Sequence, residues 1–330
     1  MGSPHYAQLP ESKRPLTAEH QILIHNGSLT ELKVFYTDPF RIQLPAGHSF
    51  PIEKYALLRR RIAEAQIVKP EAMCVPEPAS DMDLLRVHGR DYMDRVVRGE
   101  LTEKEIRRIG FPWSPPLVER SRRSCGATLQ ACREALRDGA AVNLAGGTHH
   151  AFRDRGEGYC VFNDIAVACR ALQAEGLAQR IVILDCDVHQ GNGTAVIFDG
   201  DSSVFTFSIH GRNNFPFHKE HSDLDIPLAD GTGDEGYLKA LKTGIREALD
   251  RAEADFAIYI AGADPYKDDR FGRLSLSKAG LAERDTVVFQ YCHDRGLPMA
   301  VTMGGGYTRR IHDTVDIHFQ TVRLAVLLLS

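Results

Sequence analysis

From residue 140 onward the chain repeats one pattern: a short, nearly unbroken apolar run, a polar cluster, then a helical stretch. The runs are AAVNLA (140–145), IVILDCD (181–187), VFTFSI (204–209), FAIYIAG (256–262) and MAVTMG (299–304). A strand with one face in water alternates polar and apolar residues; these barely do, so both faces must be covered. Helical segments near 163–175, 233–252 and 278–295, with 308–329 closing the chain, supply the cover. The pattern predicts an α/β fold, a single domain with a central, mostly parallel β-sheet covered by helices on both faces.

The earlier part is less regular. Residues 32–36 read as a first strand, 53–65 as a helix, 81–97 as a second helical stretch and 121–138 as a clear helix. Residues 107–116, with Gly110, Pro112, Trp113, Pro115 and Pro116, read as a loop too long for a simple connector. Residues 1–32 are polar, carry Pro4, Pro10 and Pro15, and read as an N-terminal arm or peripheral extension; 33–330 read as one domain.

Composition narrows the function. Hydrophobic residues at 43% and charged residues at 25% suit a packed globular domain rather than a disordered chain. A net charge of −4 leaves no electrostatic footprint for direct nucleic-acid binding or an anionic membrane. No apolar run reaches the length of a membrane span, and no signal peptide opens the sequence. The seven cysteines form no CxxC pair, which favours reduced thiols and a cytoplasmic location. Cys160 and Cys186, beside the polar clusters, read as small buried hydrophobes.

Each apolar run delivers a chemically capable residue at its carboxyl end. GGTHH (146–150) follows the first, His189 the second, His210 the third, Asp264 the fourth, and Gly305, Gly306 and Tyr307 the fifth. In open α/β sheets ligands bind along that edge, so the five sets can share one crevice. Asp185, Asp187 and His189 recur at every second residue and share one face of an extended segment. Two carboxylates and an imidazole leaving an apolar strand are costly to bury without a compensating cation. With Asp264 they offer one nitrogen and two carboxylate ligands and leave a position open, the pattern of a catalytic rather than a structural metal site. Zinc suits it best; Fe2+ or Co2+ fits nearly as well. His5, His20, His25, His88, His218, His221, His293, His312 and His318 have no such context and read as surface or core residues.

The strings GGTHHAFRDRGEGYCVFND, ILDCDVHQGNGT, YIAGADP and MGGGY resemble the histone deacetylase family and its bacterial acetylpolyamine- and acetoin-related relatives, over roughly residues 34 to 325 and in the family's order. The GNG after His189 and the DDRFGRLSLSKAGL stretch look most like class IV and its bacterial homologues. The resemblance implies an arginase/deacetylase-type fold, a deacetylase-like catalytic domain over 33–330, and one divalent metal held by Asp187, His189 and Asp264. It implies that His150 is the general base, that His149 is its electrostatic neighbour oriented by Asp185, and that Tyr307 donates a hydrogen bond to the substrate carbonyl. It implies a structural K+ held by Asp185 and Ser208 side chains with the backbone of Asp187, His189 and Ile209. Gly158, Tyr159, Phe215 and Phe217 match positions lining an acyl-lysine tunnel, and Gly305 belongs to the substrate platform.

Two residues depart from the better-known classes. Asn192 stands where they carry an aspartate against the second histidine, and an amide raises an imidazole pKa less than a carboxylate does. Phe271 stands where polyamine-selective relatives carry a gatekeeping glutamate, although Asp268 or Asp269 could substitute. The implied reaction is removal of acetyl or a longer acyl group from lysine of a protein or peptide by metal-activated water. The alternatives are a small N-acyl amine such as acetylpolyamine, or a non-catalytic acyl-amine-binding module. Acyl length should depend on the loops near 106–118 and 213–221.

Overall fold

The computed structural model describes residues 32–329, so the expected arm over 1–31 lies outside the described residues. Eight strands form one all-parallel sheet: β1 (Lys33–Phe35), β2 (Met73–Cys74), β3 (Ala140–Asn143), β4 (Ile181–Asp185), β5 (Val204–Gly211), β6 (Leu224–Leu228), β7 (Phe256–Ile260) and β8 (Met299–Thr302). Their spatial order is β2-β1-β3-β8-β7-β4-β5-β6. The five strands anticipated from unbroken apolar runs are therefore contiguous, β3-β8-β7-β4-β5, with the edges filled by others. Sequence reasoning missed β2, which is two residues long, and β6, whose LDIPL carries an aspartate and a proline and sits half-buried at an edge.

The helices are α1 (Lys54–Ala65), α2 (Asp81–Leu85), α3 (Arg90–Arg98), α4 (Glu103–Ile109), α5 (Pro115–Asp138), α6 (Asp164–Ala174), α7 (Asn192–Phe198), α8 (Asp234–Ala252), α9 (Lys278–His293) and α10 (Ile311–Leu329). Along β4, Ile181 and Ile183 join the core under α5 and α6, while Val182 and Leu184 join the core under α1, α8, α9 and α10. Each central strand thus spends its side chains alternately on two cores, which is why its sequence lacks polar positions.

Two expectations for the first half are corrected. The 81–97 stretch is two helices, and the break holds His88, whose Nε2 accepts the Asn163 backbone N–H at 3.0 Å. The 107–116 loop shrinks to 110–114. Thr102 and Glu105 form a capping box that carries α4 to Ile109, and Ser114 caps α5 with Pro115 at its start, where a missing N–H costs nothing.

Candidate active site

The segment after β4 organises itself through short local bonds. Asp185 Oδ1 accepts the Asp187 N–H at 3.0 Å, and Asp187 Oδ1 accepts the His189 N–H at 2.9 Å. Asp264, just beyond β7, accepts the Val188 N–H at 2.9 Å through Oδ1, which ties the two neighbouring strand ends together. From beyond β8, the Gly305 N–H donates to Asp187 Oδ2 at 2.7 Å. A side chain at 305 is impossible, because a Cβ there would lie 1.9 Å from Asp264 Oδ2.

These contacts bring ligand atoms of Asp187, His189 and Asp264 within 4.8 Å of one another, all buried. His189 Nδ1 lies 3.0 Å from Asp187 Oδ1 and 3.2 Å from Asp264 Oδ2, yet that Oδ2 has no hydrogen-bond partner although fully buried. Burial pushes the Asp264 carboxyl up to about 7, and the nearby Asp187 charge adds to the push. Burial disfavours charge on His189, but hydrogen bonds to Asp187 and Asp264 outweigh it and hold the imidazole at about 10. The pocket therefore requires positive charge between its carboxylates, and a divalent cation fits the orphaned oxygen and the donor set.

The two histidines after β3 differ in their partners. His149 donates from Nδ1 to Asp185 Oδ2 at 2.6 Å; burial opposes its charge, but Asp185 prevails and lifts it to about 9. His150 donates from Nδ1 to the neutral Asn192 Oδ1 at 2.7 Å. Burial, then the charges of His149 and His189, drive its pKa well below 6.5. His150 is thus a neutral imidazole whose Nε2 is left to accept a proton.

Tyr307 is pinned at its backbone. Its N–H donates to Asp269 Oδ2 at 2.6 Å and its carbonyl accepts from Arg270 Nε at 2.9 Å. Phe271 and Tyr159 flank its ring, at 5.0 and 5.8 Å between centroids. Burial, then Asp264 and Asp187, hold the phenol well above 10, so it is a hydrogen-bond donor and not a phenolate. A crevice of about 630 Å3 leads to these groups, lined by His150, Gly158, Tyr159, Phe215, Phe271 and Tyr307 among others. Phe215 stands edge-on to His150, with centroids 5.0 Å apart.

Most anticipated site residues thus meet at one sheet edge, with exceptions. His210 stays inside β5, against Ser208 (2.9 Å) and near Asp225 (3.8 Å), away from the crevice. Phe217 is 78% exposed and forms the outer rim rather than a tunnel wall. Asp269 cannot serve as an ammonium partner, because its buried carboxylate accepts the N–H groups of Phe271, Gly272 and Tyr307. Asp268 does not line the crevice. Ser208 pairs in register with Asp185, as a shared cation site between β4 and β5 would need.

Sequence reasoning missed two supports. Arg284, fully buried, donates to the carbonyls of Gly262 (2.5 Å) and Cys186 (3.3 Å), each two residues or fewer from a ligand. Lys54, also buried, donates to the Gly306 carbonyl at 3.3 Å and lies 5.2 Å from the Tyr307 ring centroid. A buried cation on an otherwise amphipathic helix was the only available signal for either.

Comparisons with known proteins agree with this geometry. A profile for the histone deacetylase domain matches residues 48–322. An uncharacterized protein of Picosynechococcus sp. is 43% identical over 285 residues, covering 86% of this chain and 95% of the relative. Histone deacetylase 2 of Arabidopsis thaliana is 26% identical, over 93% of this chain and 84% of that one. Among solved structures, an HDAC homolog from Aquifex aeolicus superposes with a TM-score of 0.79 at 24% identity, covering 90% of this chain and 84% of that one. An HDAC homolog complexed with SAHA gives 0.78 at 24% identity with the same coverages. Most of the chain matches the domain profile, in the expected order and on the expected fold: the protein belongs to the histone deacetylase family.

Proposed function

We propose that the protein is a metal-dependent hydrolase that removes acetyl or another short acyl group from the side-chain nitrogen of lysine in a protein or peptide. The observation that carries this reading is the convergence of Asp187, His189 and Asp264 with His150 and Tyr307 at the inner end of one crevice. A divalent ion held by the three ligands, zinc by donor chemistry with Fe2+ or Co2+ also compatible, supplies Lewis acidity to the carbonyl and acidifies water.

The chain's own groups do the rest. Neutral His150 takes a proton at Nε2 from the attacking water as its oxygen bonds to the acyl carbon. It returns that proton to the nitrogen as the C–N bond breaks, releasing carboxylate and amine. The Tyr307 hydroxyl donates to the carbonyl oxygen as negative charge develops there, in a site where burial strengthens such a bond. Aromatic walls at Tyr159, Phe215 and Phe271 suit the methylene stem of lysine. A structural K+ between Asp185, Ser208 and the backbone of Asp187, His189 and Ile209 belongs to the same reading, as does 33–330 as the catalytic domain.

Room for the acyl chain is small. Behind Tyr307 lies a cavity of about 50 Å3 bounded by Gly147, Thr148, Gly305 and Phe50. A second, also about 50 Å3, adjoins it across Phe50 and Tyr55 and is closed by Phe111. Acetyl fits the first; long acyl chains would have to displace these rings. A small N-acyl amine remains a second reading, but the commitment of Asp269 to backbone donors leaves a polyamine's second ammonium without a partner. A cytoplasmic setting is part of the proposal, supported by seven free thiols. So is the link to class IV, which rests on the motifs after His189 and around Phe271. An acetyl-lysine peptide assay with and without chelator tests the whole: chelator-sensitive turnover that zinc restores is expected, and no metal-dependent turnover of any acyl-amine would overturn it.

A further inference from the structure

The outer crevice carries a charge pattern opposite to that of the whole protein. Four arginines line it, Arg107, Arg108, Arg270 and Arg273, against a single carboxylate, Glu157. The chain as a whole has a net charge of −4, so this is a local concentration and not a general background.

The arginines are also available. Arg108 and Arg270 have no carboxylate partner among the described ion pairs. Arg107 and Arg273 reach only the exposed Glu103 and Asp230, each at 3.3 Å, and exposed pairs of that kind are weak and easily exchanged. Arg270 is held in place by donating to the carbonyls of Tyr307 (2.9 Å) and Ser49 (2.5 Å), which satisfies part of its fork without neutralising it. Guanidinium groups bind carboxylates in paired hydrogen bonds, and an oriented one loses less freedom on doing so. The exposed rings of Phe271 (39%) and Phe217 (78%) share this rim and supply an apolar surface for a peptide backbone or side-chain stem.

We infer that the rim selects acylated amines whose amine-bearing part also carries carboxylate: acyl-lysine with Asp or Glu neighbours, or an acylated amino acid with its own free carboxylate. Cationic substrates, including polyamines and lysines in basic segments, are disfavoured by the same four charges. This inference rests on the deacylase reading and adds the substrate's charge to it.

The experiment uses matched peptides centred on Nε-acetyl-lysine, with acidic, neutral or basic neighbours. Free Nε-acetyl-lysine and its Nα-acetyl methylamide form the second arm, and all are assayed with the metal-loaded full chain. Acidic neighbours should raise kcat/KM about tenfold over neutral ones through steering and pairing, basic neighbours should lower it, and high salt should close the gap. Arg108→Glu, and independently Arg273→Glu, should narrow or invert the ratio of acidic to basic peptide. A gain for free acetyl-lysine over its methylamide, without a gain among the peptides, supports the inference with a small N-acyl amino acid as the source. Equal kcat/KM across both arms overturns it while leaving the deacylase reading intact. No turnover of even the neutral peptide overturns both.

Discussion

His150 Nδ1 donates to Asn192 Oδ1 at 2.7 Å, whereas its neighbour His149 donates to the carboxylate of Asp185 at 2.6 Å. Two adjacent imidazoles thus have different electrical partners. The amide orients His150 without adding negative charge, and burial then keeps the ring neutral. Replacing Asn192 with Asp introduces that charge and raises the His150 pKa. A base must be unprotonated to act, so the acid limb of the kcat/KM profile should move to higher pH in Asn192→Asp. Superimposable pH–rate profiles would show that Asn192 does not tune this base.

Tyr307 and Asp264 should separate into different phenotypes. Tyr307→Phe removes one donor from the developing oxyanion and should lower kcat by roughly a hundredfold or more, with metal content unchanged. Asp264→Ala removes a ligand and should lose metal as well as activity. Metal analysis beside steady-state kinetics distinguishes them, and near-native turnover in Tyr307→Phe would refute its assigned role.

Arg284 supports the ligand turns from beneath. It pairs with Asp285 at 2.8 Å, both fully buried, while holding the Gly262 and Cys186 carbonyls. Arg284→Met would leave the Asp285 carboxylate buried without its cation, a loss of about 3–5 kcal/mol. Urea unfolding of the metal-free chains measures this, and restoring much of the loss with Asp285→Asn in the same chain would identify the stranded charge as its cause.

His88 makes stability sensitive to acid. Burial lowers its pKa to about 4 from an ordinary 6.5, and its Nε2 must stay unprotonated to accept the Asn163 N–H. Below pH 6.5 the unfolded chain takes up a proton that the folded chain refuses until about pH 4. Stability therefore falls as pH drops through that window, by about 3 kcal/mol at about 1.4 kcal/mol per pH unit. His88→Gln, which keeps an acceptor that does not titrate, should flatten the slope of unfolding free energy against pH. An unchanged slope would assign the acid sensitivity to other buried groups such as His318.

The sequence by itself determined the layered fold and the inner site. Both are written in local order: unbroken apolar runs declare strands covered on two faces, and the residue at the end of a run must emerge at the sheet edge. Asp187, His189, His150, Asp264 and Tyr307 were legible for that reason, and the contiguity of their five strands brought them together. Only the tertiary structure decided what surrounds them. Asp269 read as a free carboxylate until its three backbone donors were visible. Arg284 reaches a carbonyl 98 residues away, and Lys54 reaches one 252 residues away, distances at which no periodicity speaks. The arginine rim is assembled from α4 and the loop after β7, which share no pattern. Hydrogen bonds and charges between distant segments depend on how the layers pack, and packing is a property of the whole chain.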